Sequence, residues 1–352
     1  MFEMSPEPLP IQAVARSLSS AGRILAVTHV NPDGDAVGSL VGLGHIAAAL
    51  RSDIRLYCET PIPPHLAWLR SPTPILSALA DLGDWTPDRV VFLDCADGKR
   101  AGAGIVAYLA GRRDKNGLKT VCIDHHVANP NFADTNWVDP GMSATGMMIA
   151  LLAKEFGIPL SGDLGEAVCL AIVSDTGSFS YANTSALALE LTAEIVRNGL
   201  SMADFTTKYE NHWTLNRMHL WGVLMREVRL LCDGKVVVSV VTDEMLERYN
   251  APRAYLEGYA SWLRRLANTK VVLLARPSRN GSKVSLRSMG DVDVQKIAAE
   301  YGGGGHKGAA GIDMTEQPRE AADKVLEGIC RALGVPCGGV HPCSLDPCRQ
   351  GL

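Results

Sequence analysis

The stretch THVNPDGDAVGS, residues 28–39, follows directly on the apolar run RILAV, residues 23–27. RILAVTHV has the character of a buried strand. Pro32 and Gly34 then keep the chain from turning helical at once, and His29, Asp33 and Asp35 fall within this short connection. AVGSLVGLGHIAAALR resumes with helical spacing. A strand that runs from apolar residues into carboxylates and on into a helix opens a parallel α/β unit, with its charge placed at the carboxyl end of the strand.

Outward from this unit the pattern repeats. DIRLYCE, RVVFLDCA and KTVCIDHHV read as further strands, and such near-continuous apolar runs predict a parallel sheet covered on both faces. SATGMMIALLAKEFG and LGEAVCLAIVSDTG read as buried helices. From Ser201 to about Leu230 the spacing is helical, with no glycine or proline until Gly222, and predicts a helix that joins two domains. Beyond it, GKVVVSVVT, KVVLLARPS and SKVSLRS are strands at short intervals, the mark of a smaller mixed sheet. The expected organisation is α/β: a first domain over residues 1–200, a helical linker over 201–230, a smaller mixed α/β domain over 231–335 and a cysteine-containing tail over 336–352, with a cleft between the domains. There is no internal repeat and no low-complexity segment apart from YGGGGHKGAAG.

Composition bounds what such a chain does. With 352 residues it buries a sizeable core and exceeds the usual span of one domain. It is 47% apolar and 20% charged with net charge -4, and no uninterrupted apolar run is long enough for a bilayer. A membrane-spanning protein is not expected. The slight acidity also argues against a non-specific duplex binder, which would carry a basic balance. MFEMSPEPLP lacks the basic start and apolar core of a signal peptide, so cytoplasmic residence is expected. Of the nine cysteines, six read as small buried hydrophobes, Cys95, Cys122 and Cys169 most clearly because their segments are apolar. Cys337, Cys343 and Cys348 sit with His341 in CGGVHPCSLDPCRQGL; their spacing matches no standard zinc site, and a flexible tail is the expected reading.

Ligands of open parallel sheets bind at the carboxyl ends of the strands, and the acidic and imidazole residues cluster there. His29, Asp33 and Asp35 follow the first strand, Asp94 ends RVVFLD, and Asp124, His125 and His126 end TVCIDHH. Asp175 follows the apolar AIVS. Taken alone, Asp35 is more often a helix N-cap and His29 a hydrogen-bonded structural residue. Together, four segments deliver about twice the ligands a single ion needs, and carboxylates mixed with imidazoles suit Mn2+, Mg2+ or Fe2+. Two such ions, binding an attacking water and phosphoryl oxygens, are the equipment of phosphoester hydrolysis.

THVNPDGDAVGS, VVFLDCAD, IDHHVAN and IVSDTGSF together resemble the DHH phosphoesterase family, whose name is the tripeptide Asp124-His125-His126. GGGGHKGAAG, with SLRS upstream, resembles the companion DHHA1 domain, and the likeness spans most of residues 15–335. Length and layout are similar to the NrnA-like subgroup of small cytoplasmic oligoribonucleases that also dephosphorylate 3'-phosphoadenosine 5'-phosphate (pAp). The resemblance implies that His29 and Asp33 hold one metal ion, that Asp35, His125 and Asp175 hold the other or bridge toward it, and that Asp94 bridges both. It implies that His126 faces the scissile phosphate, stabilising charge or protonating the leaving group, and that Asp124 orients a histidine. It implies two divalent ions, with manganese expected and Mg2+ or Fe2+ as alternatives, and short single-stranded RNA, dinucleotides and pAp as substrates. A homodimer is left open.

The second domain supplies candidates for substrate contact. Glycines such as Gly303, Gly304 and Gly305 let backbone N–H groups approach an anion, with His306 as a donor and Lys307 beside it, although a glycine run alone is more often a turn. Arg287, Ser288 and Arg276 on neighbouring strands would add partners for a terminal phosphate. A second domain that clamps the far end of a substrate favours short ones. His212, Trp213 and His219 on the linking helix are candidates for base stacking, though at helical spacing they are more often core. The competing readings are a cyclic or linear dinucleotide phosphodiesterase, a family II inorganic pyrophosphatase and a non-catalytic nucleotide-binding module. The pyrophosphatases resemble a different pattern with an SRKQ clamp, absent here, and a silent module would have lost ligands.

Overall fold

The protein was analysed as a computed structural model, which describes residues 9–112, 117–210 and 213–335. The chain divides into two compact units, Met1–His212 and Trp213–Leu352. His212 and the tail residues Cys337, His341, Cys343 and Cys348 lie outside the described residues. Among the described residues no helix is long and apolar enough to cross a membrane.

The first unit begins with α1 (Pro10–Ser19), then β1 (Arg23–Thr28), α2 (Gly34–Ala49), β2 (Asp53–Tyr57), β3 (Ile75–Leu76) and β4 (Arg89–Leu93). It continues through α3 (Ala103–Ala110), β5 (Lys119–Asp124), β6 (Thr135–Val138), α4 (Thr145–Glu155), α5 (Gly162–Asp175), α6 (Ala186–Arg197) and α7 (Met202–Glu210). Its six strands are ordered β3-β2-β1-β4-β5-β6, and every pairing is parallel. The apolar strand runs are explained by two-sided burial. Ile24 and Ala26 of β1 face a core with Val91, Leu93, Val121 and Ile123 under the long helices, while Leu25 and Val27 face a second core with Phe92, Cys122 and Ile105. Strand order reverses between β1 and β4, the topological switch point at which such sheets bind ligands.

Three helices pack closely behind that point. A Cβ on Gly38 of α2 would stand 2.4 Å from the carbonyl oxygen of Ala167, and one on Gly146 of α4 would stand 2.2 Å from the Cβ of Ala171. Larger side chains at these two positions would push α2 and α4 off α5.

The second unit contains α8 (Leu215–Arg226), β7 (Arg229–Leu231), β8 (Val236–Val240), α9 (Asp243–Arg248), α10 (Tyr259–Leu263), β9 (Val271–Ser278), β10 (Gly281–Ser288), α11 (Val294–Ala299), β11 (Gly304–His306), β12 (Ala309–Met314) and α12 (Pro318–Leu333). Its sheet runs β11-β12-β10-β9-β8-β7 and is antiparallel except where β8 lies parallel to β9. The two-domain α/β architecture, a parallel sheet with helices and a smaller mixed sheet, is thus observed.

Three local expectations are corrected. The stretch expected as one linking helix is two, α7 and α8, with Thr214 capping α8 through a bond from the Arg217 amide. The glycine run is not simply a loop: Gly304–His306 is a strand, and the backbone of His306 pairs with Ala309. Gly305 has φ +141, and a Cβ there would meet the Ala309 carbonyl at 2.4 Å, so both the conformation and the close approach require glycine. Cys58, Cys95, Cys122, Cys169 and Cys330 are buried, but Cys232 is only partly so, its sulfur 3.8 Å from that of Cys330.

Candidate metal centre

The carboxyl ends of β1, β4 and β5 and the C-terminus of α5 bring His29, Asp33, Asp35, Asp94, Asp124, His125, His126 and Asp175 together. Asp94 stands at the centre. Its backbone, just past β4, has φ +57, a left-handed conformation that aspartate tolerates better than most residues. His29 Nε2 lies 3.5 Å from Asp94 Oδ2, and on the other carboxylate oxygen His125 Nε2 lies at 3.5 Å and His126 Nδ1 at 3.6 Å. The Thr145 hydroxyl donates to that same oxygen at 3.1 Å.

On one side of Asp94, His29 Nε2 is 3.9 Å from Asp33 Oδ1. Asp33 is also the N-cap of α2, accepting from the Ala36 amide at 3.1 Å. The capping role expected of Asp35 taken alone therefore belongs to Asp33. On the other side, His125 Nε2 is 3.7 Å from Asp35 and 3.3 Å from Asp175. Asp35 is fully buried and accepts from the Thr145 and Gly146 amides at 2.7 and 2.8 Å and from the Ser39 hydroxyl at 3.0 Å. It thus satisfies the first amides of α4 from across the fold, which is why α2 and α4 must approach so closely.

Donor atoms of His29, Asp33 and Asp94, of Asp35, His125 and Asp175, and of Asp94, His125 and His126 lie within 4.8 Å of one another in each set. His126 differs from its neighbour, because its Nδ1 is taken by Asp124 Oδ1 at 2.7 Å. Asp124 is held in turn by the Asn129 amide at 2.6 Å. His126 Nε2 faces Arg100 at 3.5 Å. His125 Nδ1 lies 3.2 Å from the Met142 carbonyl, which fixes the ring with Nε2 toward the carboxylates.

The electrostatics show a cluster short of positive charge. Burial, and then repulsion from Asp94, drives the Asp35 carboxyl well above the ordinary range. Burial and the charges of Asp33 and Asp94 do the same to Asp175. Burial would also raise Asp94, but His29, His125 and His126 hold it below the usual carboxylate range. Burial opposes charge on His29 and His126, yet Asp94 with Asp33 raises the first and Asp124 with Asp94 raises the second. Buried carboxylates that resist ionisation beside imidazoles fit a divalent cation, which would supply the missing charge.

Sequence reasoning passed over Thr145, Asn129 and Arg100. Asn129 stood inside the quoted IDHHVAN and Thr145 inside SATG, but only contacts at the site give them meaning.

In the second unit, Arg287 Nε donates to the Ser261 hydroxyl at 3.3 Å. Ser288 is buried, its hydroxyl set against the Val292 and Lys307 carbonyls at 2.8 and 3.1 Å. Arg276 lies opposite Lys283 in the β9–β10 pairing, and burial, then Arg253, lowers its pKa. Gly303, Gly304 and Gly305 border β12, while the His306 side chain is outside what the structure describes. Trp213 precedes α8, half exposed, with the Arg217 guanidinium 4.5 Å from its ring centroid, and His219 is exposed on α8.

Comparison with known proteins places these features. The chain is 29% identical over 94% of its length to the bifunctional oligoribonuclease and PAP phosphatase NrnA of Thermus thermophilus, covering 97% of that protein. It is 28% identical over 90% of its length to the protein of the same name from Bacillus subtilis, again covering 97% of it. The crystal structure of an exopolyphosphatase-related protein from Bacteroides fragilis shares the fold, with TM-score 0.81 at 23% identity over 94% of this chain and 98% of that one. Residues 23–172 match the DHH family, N-terminal domain, and residues 233–333 match the DHHA1 domain; a DHH domain and a DHHA1 domain are thus present in the same polypeptide.

Proposed function

We propose that this protein is a cytoplasmic, metal-dependent phosphoesterase that hydrolyses short oligoribonucleotides to mononucleotides and pAp to AMP. The observation that carries this reading is Asp94, one carboxylate within 3.6 Å of three imidazoles and flanked on either side by further carboxylates. The relatives named for oligoribonuclease and PAP phosphatase activity support the substrate class.

His29, Asp33 and Asp94 would hold one ion and Asp35, His125 and Asp175 a second, with Asp94 shared and manganese preferred by a donor set of carboxylates and imidazoles. Bound there, the ions would polarise the phosphoryl group and make the attacking water more acidic. The chain's own residues do the rest. Asp35 is immobilised by two amides and a hydroxyl, and Thr145 fixes the orientation of Asp94, so the ligands need not reorganise during reaction. Asp124 ties down His126 Nδ1, which leaves Nε2 facing outward; with the ring protonated on both nitrogens, Nε2–H would pass its proton to the leaving oxygen. In the second unit, Arg287 and the backbone of Gly303–His306 would contact a phosphate or ribose of the nucleotide, with Ser288 bracing that segment.

Hydrolysis of pAp, a 5'-phosphorylated dinucleotide, a long oligoribonucleotide and pyrophosphate, compared side by side with Mn2+, tests the reading. The dinucleotide and pAp should be turned over and the long strand poorly. Preference for pyrophosphate, or full activity after exhaustive chelation, would overturn it.

A further inference from the structure

Arg100 occupies a place that the metal-ligand assignment does not use. It lies in a single helical turn, Gly98–Ala101, opened by Asp97, whose side chain accepts from the Lys99 amide at 2.6 Å. The Arg100 carbonyl accepts from the Val30 amide at 2.8 Å, so its backbone is fastened to the residue after His29. The side chain is exposed, and its guanidinium reaches His126 Nε2 at 3.5 Å. Among the described residues no carboxylate pairs with it. Its exposed guanidinium thus meets an imidazole of the cluster rather than one of its carboxylates.

We propose that Arg100 contacts the phosphate being cleaved and favours dianionic terminal phosphates over internal phosphodiesters. This rests on the phosphoesterase reading of the same centre. A guanidinium offers a planar fork that matches two oxygens of one phosphate. A terminal phosphate presents more non-bridging oxygens and more charge than a diester, so it gains more from the fork. His126 Nε2 and the Arg100 fork face the same space, and a phosphate entering there would replace the contact between the two side chains with contacts to each. Arg100 is thereby the residue that lets one centre accept both pAp and dinucleotides.

The test compares R100A, R100Q and R100K with the wild type on pAp and on a dinucleotide, in manganese-loaded full-length protein with matched metal content and melting temperature. R100A should lower kcat/KM for pAp at least about tenfold more than for the dinucleotide, the order expected for losing a charge-assisted contact. R100Q keeps an N–H donor for His126 but no charge and should resemble R100A, whereas R100K should retain part of the selectivity. Equal losses on both substrates, or full recovery in R100Q, would show that the residue only positions His126 and would overturn the proposal. Calorimetric titration of inorganic phosphate gives an activity-independent reading: affinity should fall about tenfold or more in R100A, and unchanged affinity would also overturn it. A wild type that hydrolyses neither substrate would sink the phosphoesterase reading, while the phosphate titration would still decide the role of Arg100.

Discussion

Asp94→Asn separates the charge at the centre of the cluster from the other work of that residue. With φ +57, position 94 tolerates asparagine about as well as aspartate, where alanine would add backbone strain and a void. The amide oxygen can still accept from Thr145, 3.1 Å from the native carboxylate. What disappears is a negative charge within 3.6 Å of His29, His125 and His126. An ion that binds only the folded state stabilises it by about 2.7 kcal/mol per site at a hundredfold excess over Kd. For a unit the size of Met1–His212, each kcal/mol moves Tm by about 2–4 °C. Two sites should therefore raise the wild-type Tm by roughly 10–20 °C. If Asp94 is shared by both ions, the variant should lose most of that rise. Its metal-free stability should fall by about 1–3 kcal/mol, the order of one lost charged hydrogen-bond partner, because the lost attraction to His29, His125 and His126 is offset in part by relief of the repulsion felt by Asp35 and Asp175. Calorimetry with and without MnCl2, paired with elemental analysis, measures both quantities. A variant with the full manganese-induced rise and an undiminished metal content would refute the shared-ligand assignment.

Asp35→Asn should also destabilise the metal-free protein by about 1–3 kcal/mol, because its NH2 group would face amides that now donate to both carboxylate oxygens; urea unfolding in chelator checks this, and an unchanged midpoint would contradict it. His126→Ala should retain metal yet lose turnover by about 10²–10⁴-fold, and loss of a metal equivalent would move His126 among the ligands. Arg287→Ala should raise KM for a 5'-phosphorylated dinucleotide by about 10- to 100-fold while sparing bis-p-nitrophenyl phosphate; equal effects on both would assign the residue to folding.

Strands covered on both faces are legible as apolar runs, and β1, β4, β5, β8 and β9 lie where those runs stand, while β10, buried at every second residue, is legible from its alternation. The edge strands β3 and β6 escape such a reading, since Ile75–Leu76 is two residues long and TNWV carries only one fully buried position. The break between α7 and α8 is similarly hidden, because YENHWTLNR contains neither glycine nor proline and its stop signal is one capping threonine. At the site, residue types and their positions after strands made the eight acidic and imidazole residues legible.

The sequence by itself determined which atoms each segment offers: carboxylates and imidazoles at strand ends, glycines where backbones must pass closely, and near-continuous apolar runs for one sheet followed by strands at short intervals for the other. Only the tertiary structure decided which of those atoms meet. Asp35 and Gly146 are separated by 111 residues, yet the Gly146 amide reaches the carboxylate at 2.8 Å; Thr145 and Asp94, 51 residues apart, share a hydrogen bond. Arg100 and His126 face each other over 26 residues. The reason is physical: periodicity reports the burial of each segment against some partner, but strand order and helix packing choose the partner. Placing β1 beside β4 with α2, α4 and α5 packed behind turns residues distant in the chain into neighbours within a few ångströms.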